Sequence, residues 1–156
     1  MEIERKFLVQ RLPDCLEQYD YHIIEQAYLC TDPVVRVRKS DNDYYLTYKG
    51  RGLIAREETN LLLTKDGYYH LLSKADGNII TKKRVLIPYN YNNKSYTIEL
   101  DIFSGVFTGL VIAEVEFESM EDAQSFIAPG WFGKDVSDSC TYHNSTLSRM
   151  EPPFHF

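Results

Sequence analysis

The chain opens Met1-Glu2-Ile3-Glu4-Arg5-Lys6. On a strand, Glu2, Glu4 and Lys6 project from one face while Ile3, Arg5 and Phe7 project from the other. Side chains on one face follow each other in steps of about 7 Å, so two carboxylates and an amine stand in a row. Such a row can hold a divalent cation on the carboxylates and a phosphate oxygen on the lysine. A solvated edge strand would explain one such row. Repetition argues for more: Arg36 and Arg38 flank Val37, Lys49 follows Tyr45 and Thr47 at strand spacing, and Arg56 and Glu58 flank Glu57. Lys82 with Arg84, Glu99 with Asp101, and Glu114, Glu116 and Glu118 continue the same period of two.

Most of these rows lie in segments rich in Val, Ile, Leu, Tyr and Thr, the composition of strands. An ordinary antiparallel sheet buries its apolar face and shows water a mixed polar one. Here the polar faces are ionisable and sorted by strand into acidic and basic rows. A closed sheet with a charged lumen and an apolar outer wall covered by helices explains the sorting. The expected fold is therefore α+β, mainly β: a closed antiparallel β-tunnel with helices packed outside. Residues 1–150 form a single domain and residues 151–156 a loose tail.

A formal net charge of -6 argues against a protein that binds nucleic acid by neutralising its phosphates broadly. It leaves room for a small polyanion. The cluster Lys6, Arg36, Arg38, Lys49, Arg56, Lys82 and Arg84, helped by divalent metal on the carboxylates, can reverse the field inside a cleft. No stretch approaches the roughly 20 apolar residues of a membrane span. Met1 leads directly into a strand, with no secretory leader pattern. The expectation is a cytoplasmic protein with a small-molecule polyphosphate partner, no nucleic acid and no membrane; oligomeric state is not readable. Cys15, Cys30 and Cys140 are odd in number and widely spaced, which suggests neither a disulfide framework nor a zinc site. They are expected to be reduced and structural.

Turn and cap signals place the elements. Strands are expected near residues 1–9, 22–30, 34–39, 44–49, 54–60, 79–89, 95–102 and 111–118, with Ser40-Asp41-Asn42-Asp43 as a hairpin loop and Gly50-Arg51-Gly52 as a break. Helices are expected near 14–18, from Thr64 to a stop at Gly77-Asn78 with Tyr68, Leu71, Leu72 and Ala75 on the buried face, at 120–128, and near 145–150. Residues 103–110 form a Gly-containing link. Trp131, in a Pro-Gly-Trp-Phe-Gly turn, is expected as a core plug, and Tyr28, in register with Gln26, could reach the lumen.

Carboxylates and cations in separate rows suit phosphoryl chemistry above all. Lysine and arginine would hold a chain of phosphates while a metal on the carboxylates polarises one phosphorus and ionises a water. Mg²⁺ or Mn²⁺ suits all-oxygen ligands, whereas zinc would want His or Cys. His22, His70, His143 and His155 show no ligand spacing and are expected as surface or packed residues. Neither a P-loop nor a G-x-S-x-G elbow is present.

Taken in order, Glu2-Ile3-Glu4-Arg5-Lys6, Arg36-Val37-Arg38, Tyr48-Lys49-Gly50, Arg56 with Glu58, Lys82-Lys83-Arg84, Glu99-Leu100-Asp101 and Ala113-Glu114-Val115-Glu116-Phe117-Glu118 resemble the successive motifs of the CYTH superfamily, the triphosphate tunnel metalloenzymes. Lys134-Asp135-Val136-Ser137 and Tyr142-His143-Asn144 are similar to the family's C-terminal segment, with Ser137 where threonine is common and His143 in place of a small residue. The resemblance implies an antiparallel tunnel of about eight strands that binds triphosphate. By position it implies Glu2, Glu4, Glu114 and Glu116 as metal ligands, and Lys6, Arg36, Arg38, Lys49, Arg56, Lys82 and Arg84 as phosphate ligands. Glu4, Glu116 and Lys6 would carry catalysis. Family members include inorganic, thiamine and RNA triphosphatases and class IV adenylate cyclases; this chain looks most like the bacterial inorganic triphosphatases. The expected reaction is metal-dependent hydrolysis of tripolyphosphate to pyrophosphate and phosphate. The alternatives are an adenylate cyclase, a thiamine or nucleoside triphosphatase, and a non-catalytic polyphosphate-binding module, which would not need carboxylates on both the first and last strands.

Overall fold

Because ionisable and apolar side chains alternate along nearly every strand, the sheet has one charged face and one greasy face, and it curls to enclose the charged one. The computed structural model describes residues 1–152, 154 and 156. Among them it holds β1 (Glu2–Leu8), β2 (Tyr21–Thr31), β3 (Val34–Ser40), β4 (Asp43–Lys49), β5 (Ala55–Arg56), β6 (Glu58–Leu62), β7 (Asp76–Tyr91), β8 (Lys94–Ser104) and β9 (Val111–Glu116). The helices are α1 (Lys65–Leu72), α2 (Met120–Ser125) and α3 (Asn144–Leu147), with 3₁₀ turns at Leu16–Gln18, Gly105–Phe107 and Cys140–Tyr142.

The strands form one antiparallel sheet in the order β5-β1-β9-β8-β7-β2-β3-β4-β6. Its two ends, β5 and β6, are separated in the chain only by Glu57. The sheet therefore closes through one bent strand, whose first half pairs with β1 and whose second half pairs with β4. The bend is built by the preceding glycines. Gly50 N–H donates to Glu57 O at 2.9 Å. Gly52, at φ +134°, passes so close to Ala55 that a Cβ would lie 2.2 Å from its carbonyl oxygen, a site open only to glycine.

Outside, Phe7, Val85, Ile87, Ile98, Leu100, Val115 and Phe117 pack with Phe126 into the larger apolar cluster, roofed by α2 and the segment that follows it. Arg5, which also points outward, binds that roof: Nη1 donates to the carbonyls of Ala123 and Phe126 at 2.9 and 2.8 Å, and Nη2 to Asp135 at 2.6 Å. Trp131 belongs to this coat, edge-on to Phe132. Each side chain fully buried here contributes about 1.5–3 kcal/mol. Thr64 caps α1 by accepting from Gly67 N–H at 3.0 Å, and Tyr68 is its fully buried residue.

The inward-facing rows change character along their length. One step beyond Lys6, Gln26, Arg36, Lys82, Asp101 and Glu114 the same faces carry Leu8, Tyr28, Val34, Ile80, Phe103 and Ile112. With Phe107, Leu110 and Leu147 these make a second apolar cluster. It stoppers one end of the barrel, and α3 supplies the stopper's Leu147.

Several boundaries differ from the sequence expectation. Gly77-Asn78 does not stop α1; it lies in β7, where the β2–β7 register jumps from Gln26↔Ile80 to Tyr28↔Asp76. A Cβ on Gly77 (φ +75°) would sit 2.1 Å from Ser148 O, and Asn78 donates through N to Ser148 O and through Nδ2 to the carbonyls of Leu147 and Met150. The pair is a clasp for the C-terminal segment. The helix expected near 14–18 is the short 3₁₀ turn, because Cys15 is left-handed (φ 59°). The strand expected at 54–60 is broken into β5 and β6. The 120–128 and 145–150 helices shorten to α2 and α3. All three cysteines are exposed, not structural. The tail is not wholly loose, since Phe154 stacks on Phe107 at 4.8 Å; Pro153 and His155 lie outside the described residues. No helix among the described residues is long and apolar enough to cross a membrane.

If α3 stoppers the barrel, Leu147→Ala should cost about 2–5 kcal/mol in urea unfolding. Leu62→Ala, at a side chain 79% exposed, should stay within about 0.5 kcal/mol of wild type. Equal effects would contradict the stopper.

Candidate active site

The lumen holds a cavity of about 550 Å³. Of the expected site residues Glu2, Glu4, Lys6, Arg36, Arg38, Lys49, Arg56, Arg84, Glu114 and Glu116 all line it, and Lys82 does not. Strand parity explains the gathering. β1 contributes Glu2, Glu4 and Lys6, β9 contributes Glu114 and Glu116, and register places Glu4 opposite Glu116 and Lys6 opposite Glu114. β3 contributes Arg36 and Arg38, and the β5–β6 bend contributes Arg56 and Glu58.

Many of these charges neutralise one another. Lys49 Nζ lies 2.9 Å from Glu2 and 3.4 Å from Glu58. Lys6 lies 3.5 Å from Glu114. Arg84 makes a two-pronged contact with Asp101, at 2.8 and 2.9 Å, and also reaches Glu99 at 2.9 Å and Glu114 at 3.4 Å. Lys82, expected as a phosphate ligand, is wholly buried behind the wall; its ammonium meets Asp101 at 2.8 Å and Asn144 Oδ1 at 3.2 Å. Burial, Arg84 and Arg38 pull Lys82 down to about 7, whereas Arg84 and Lys82 overcome burial and hold the Asp101 carboxyl below its ordinary value. Lys6 and Arg84 do the same for Glu114, holding it well below the usual carboxylate range.

Two sets of charge lack a counter-ion among the described residues. On the β3 side, Arg38 Nε donates to Gln26 Oε1 at 2.7 Å and Arg36 Nη2 to Thr47 Oγ1 at 3.3 Å, neither an anion. Arg36 Nε is buried with no partner at all, a state that costs about 1–3 kcal/mol. Burial, with Arg36 and Arg84 nearby, lowers Arg38 to about 9. Arg56, on β5 beside β1, donates to the Gly50 carbonyl at 3.0 Å and meets no carboxylate among the described residues. On the β1–β9 side, Glu4 and Glu116 make no ion pair. Burial, Glu114 and Glu2 push Glu4 up to about 8; burial, Glu99 and Glu58 raise Glu116. One wall of the lumen is short of anion and the facing wall is short of cation.

The donors on the acidic wall are all carboxylate oxygens. No group of three or more His, Cys, Asp or Glu side chains among the described residues forms a ready metal cage. Magnesium and manganese need none: they are commonly held by one or two carboxylates together with water and phosphate oxygens. Glu4 and Glu116, with Glu2 and Glu114 beside them, fit that requirement.

Sequence reasoning passed over several residues of the inward faces. Gln26, Thr47 and Asn60 were on the correct parity, but only the fold shows that Gln26 and Thr47 meet guanidiniums and that Thr47 donates to Asn60 at 2.6 Å. Tyr28 does line the lumen. His22 and His143 line it too; His22 is also a surface residue, as expected, its half-exposed ring 2.6 Å from Asp41. His22 could have been found from its spacing to Ile24 and Gln26; His143, on the 3₁₀–α3 junction, has no periodic signal.

The CYTH domain profile matches residues 1–135. An inorganic triphosphatase of Nitrosomonas europaea is 34% identical over 159 residues, covering 97% of this chain and 99% of that protein. One of Acetivibrio thermocellus is 30% identical over 155 residues, covering 94% and 92%. Among solved structures, that of the inorganic triphosphatase NE1496 superposes with a TM-score of 0.71 at 31% identity, covering 98% of this chain and 97% of that one.

The raised Glu4 carboxyl yields a pH test on metal-free protein. A carboxyl near 8 in the folded state and about 4.5 when unfolded binds more protons folded, so it costs nothing below about 4.5 and destabilises increasingly as pH rises towards 8. Urea midpoints measured in EDTA across this range should fall less steeply for Glu4→Gln than for wild type. Parallel curves would contradict the assignment.

Proposed function

The chain belongs to the CYTH domain family, and from that membership together with the charge pattern of its lumen we propose that it hydrolyses inorganic tripolyphosphate to pyrophosphate and phosphate, with Mg²⁺ or Mn²⁺ on Glu2, Glu4, Glu114 and Glu116. The observation that carries this reading is the opposition of Arg36 and Arg38, without carboxylate partners, to Glu4 and Glu116, without cationic ones. A metal–polyphosphate complex supplies both missing charges in one ligand.

The chain's own groups divide the work. Arg36 and Arg38, two residues apart on β3, receive non-bridging oxygens of neighbouring phosphates, and the idle Nε of Arg36 gains its missing acceptor. Arg56 and Arg84 extend the cationic surface around the lumen. Lys6 stands where the acidic and basic rows meet, 3.5 Å from Glu114, placed to balance charge that builds on the terminal phosphate. Lys49 neutralises Glu2 and Glu58. A divalent cation, when bound, polarises the terminal phosphorus and makes its bound water more acidic. Hydrolysis joins a water oxygen to that phosphorus as the bridging P–O bond breaks and pyrophosphate leaves, the water's proton passing to solvent. Gln26 and Thr47 hold the guanidiniums in place, Thr47 itself fixed by Asn60, so little reorganisation is needed as charge develops.

Substrate choice follows from the same surface. Inorganic tripolyphosphate presents charge along its whole length. A nucleoside replaces charge at one end with bulk. Trp131 lies in the outer coat, not at the lumen.

Removal of Glu4 or Glu116 as a carboxylate (Glu4→Gln, Glu116→Gln) should abolish turnover while thermal unfolding stays cooperative; near-wild-type rates in both at saturating magnesium would contradict the metal assignment. Arg38→Ala should lower kcat/KM roughly tenfold or more, since a charge-assisted contact is worth about 1.5–3 kcal/mol. Lys82→Ala should instead act on stability, by about 1.5–3 kcal/mol, because it removes one of the two cations that satisfy the buried Asp101 and leaves Arg84 as the other.

Phosphate release and cyclic AMP formation measured for tripolyphosphate, ATP, thiamine triphosphate and pyrophosphate test the substrate. Tripolyphosphate should have the highest kcat/KM and pyrophosphate should be a product. Equal or greater efficiency on ATP or thiamine triphosphate, or conversion of ATP to cyclic AMP, would overturn the assignment.

A further inference from the structure

His143 sits at the junction of the 3₁₀ turn Cys140–Tyr142 and α3. Its backbone is fixed on both sides: its N–H donates to Cys140 O at 3.2 Å, and its carbonyl accepts from Thr146 and Leu147 N–H at 2.9 and 3.0 Å. Its neighbours tie the segment to the lumen wall, Tyr142 through its carbonyl to Lys6 Nζ at 3.4 Å and Asn144 through Oδ1 to Lys82 Nζ at 3.2 Å. Beyond it, Leu147 is buried in the stopper and the Gly77-Asn78 clasp holds the helix end. The imidazole is thus delivered to the lumen by a rigid segment, and it lines the same cavity as Lys6, Lys49 and Arg56. Neither ring nitrogen has a hydrogen-bond partner among the described residues.

We infer that His143 is a phosphate-contacting residue, donating a ring N–H to a non-bridging oxygen of the polyphosphate in the corner of the lumen formed with Lys6, Lys49 and Arg56. The inference rests on the reading of the lumen as a polyphosphate site and adds to it a ligand that the charge rows do not contain. Three cations around one anionic group leave its outer oxygens in need of directional donors, and an imidazole supplies one without adding a fourth charge. Burial, then Lys6, Arg56 and Lys49, lower the imidazole to about 4, so at neutral pH it is an uncharged ring with one N–H donor and one acceptor nitrogen. The position also favours an inorganic end group: a phosphate oxygen satisfies the donor, whereas a nucleoside carbon placed there would leave it unmet.

Calorimetric titration of tripolyphosphate into metal-free protein at neutral pH tests this without turnover. Wild type should bind. His143→Ala should bind roughly three- to tenfold more weakly, as expected for a lost uncharged hydrogen bond. His143→Gln, which keeps an uncharged donor, should recover to within about twofold of wild type. Equal affinity of wild type and His143→Ala, or a Gln variant as weak as the Ala variant, would overturn the inference. Failure of wild type to bind tripolyphosphate both metal-free and with Mn²⁺ present would overturn the lumen reading itself. Imidazole ¹⁵N spectra of wild type keep the test open if the Ala variant does not fold: the His143 ring nitrogens should shift on addition of tripolyphosphate, and unmoved His143 resonances in a saturated complex would overturn the contact.

Discussion

Closing a sheet forces every inward side chain to find a partner inside or to wait for one from outside, and the rest of this molecule follows from how that constraint is met. Around β7, β8 and β9 the charges are matched internally, with Asp101 serving both Lys82 and Arg84. Buried pairs of this kind add little net stability, because desolvation offsets their attraction. Breaking one, however, leaves an uncompensated charge. Around β3 and at the β1–β9 edge the charges are left unmatched, and a buried unmatched charge is costly. Folding free energy must therefore come from elsewhere. It comes from the outer coat of Phe7, Ile98, Leu100, Val115 and Phe126 and from the stopper around Phe103, Ile112 and Leu147.

The same division explains how an acidic protein can receive a polyanion. A net charge of -6 is a property of the whole surface, whereas an entering ligand meets the local field of Arg36, Arg38 and Arg56 in a cleft with low-dielectric walls. Metal and anion should also reinforce each other, since each removes repulsion that the other would face. Such coupling is reciprocal by thermodynamic necessity.

Wherever function depends on strand parity, the sequence was readable. Glu2-x-Glu4-x-Lys6, Arg36-x-Arg38 and Glu114-x-Glu116 face the lumen because a period of two cannot do otherwise once the sheet closes. Parity also extends past the charges: Leu8, Val34, Ile80 and Ile112 stand on the inward faces and form the stopper. What parity does not convey is depth or pairing. Lys82 is on the inward face, but it is enclosed by Asp101, Phe103 and Asn144. The bend at Glu57, which closes the barrel, is hidden inside what reads as one strand. Gly77-Asn78 carries the chemistry of a helix stop and is used as a clasp, because its partner, the Ser148 carbonyl, lies far along the chain in a segment with no periodic pattern. His143 reaches the lumen by the same route.

That one ligand satisfies both unmatched walls at once is tested most directly by a crystal structure of the protein with Mn²⁺ and a hydrolysis-resistant imido analogue of tripolyphosphate, the metal located by its anomalous scattering. Manganese should lie on oxygens of Glu4 and Glu116 and the phosphate chain against Arg36 and Arg38, with an oxygen at Arg36 Nε. Manganese bound away from those carboxylates, or the analogue bound outside the lumen with Arg36 Nε still unpartnered, would contradict it.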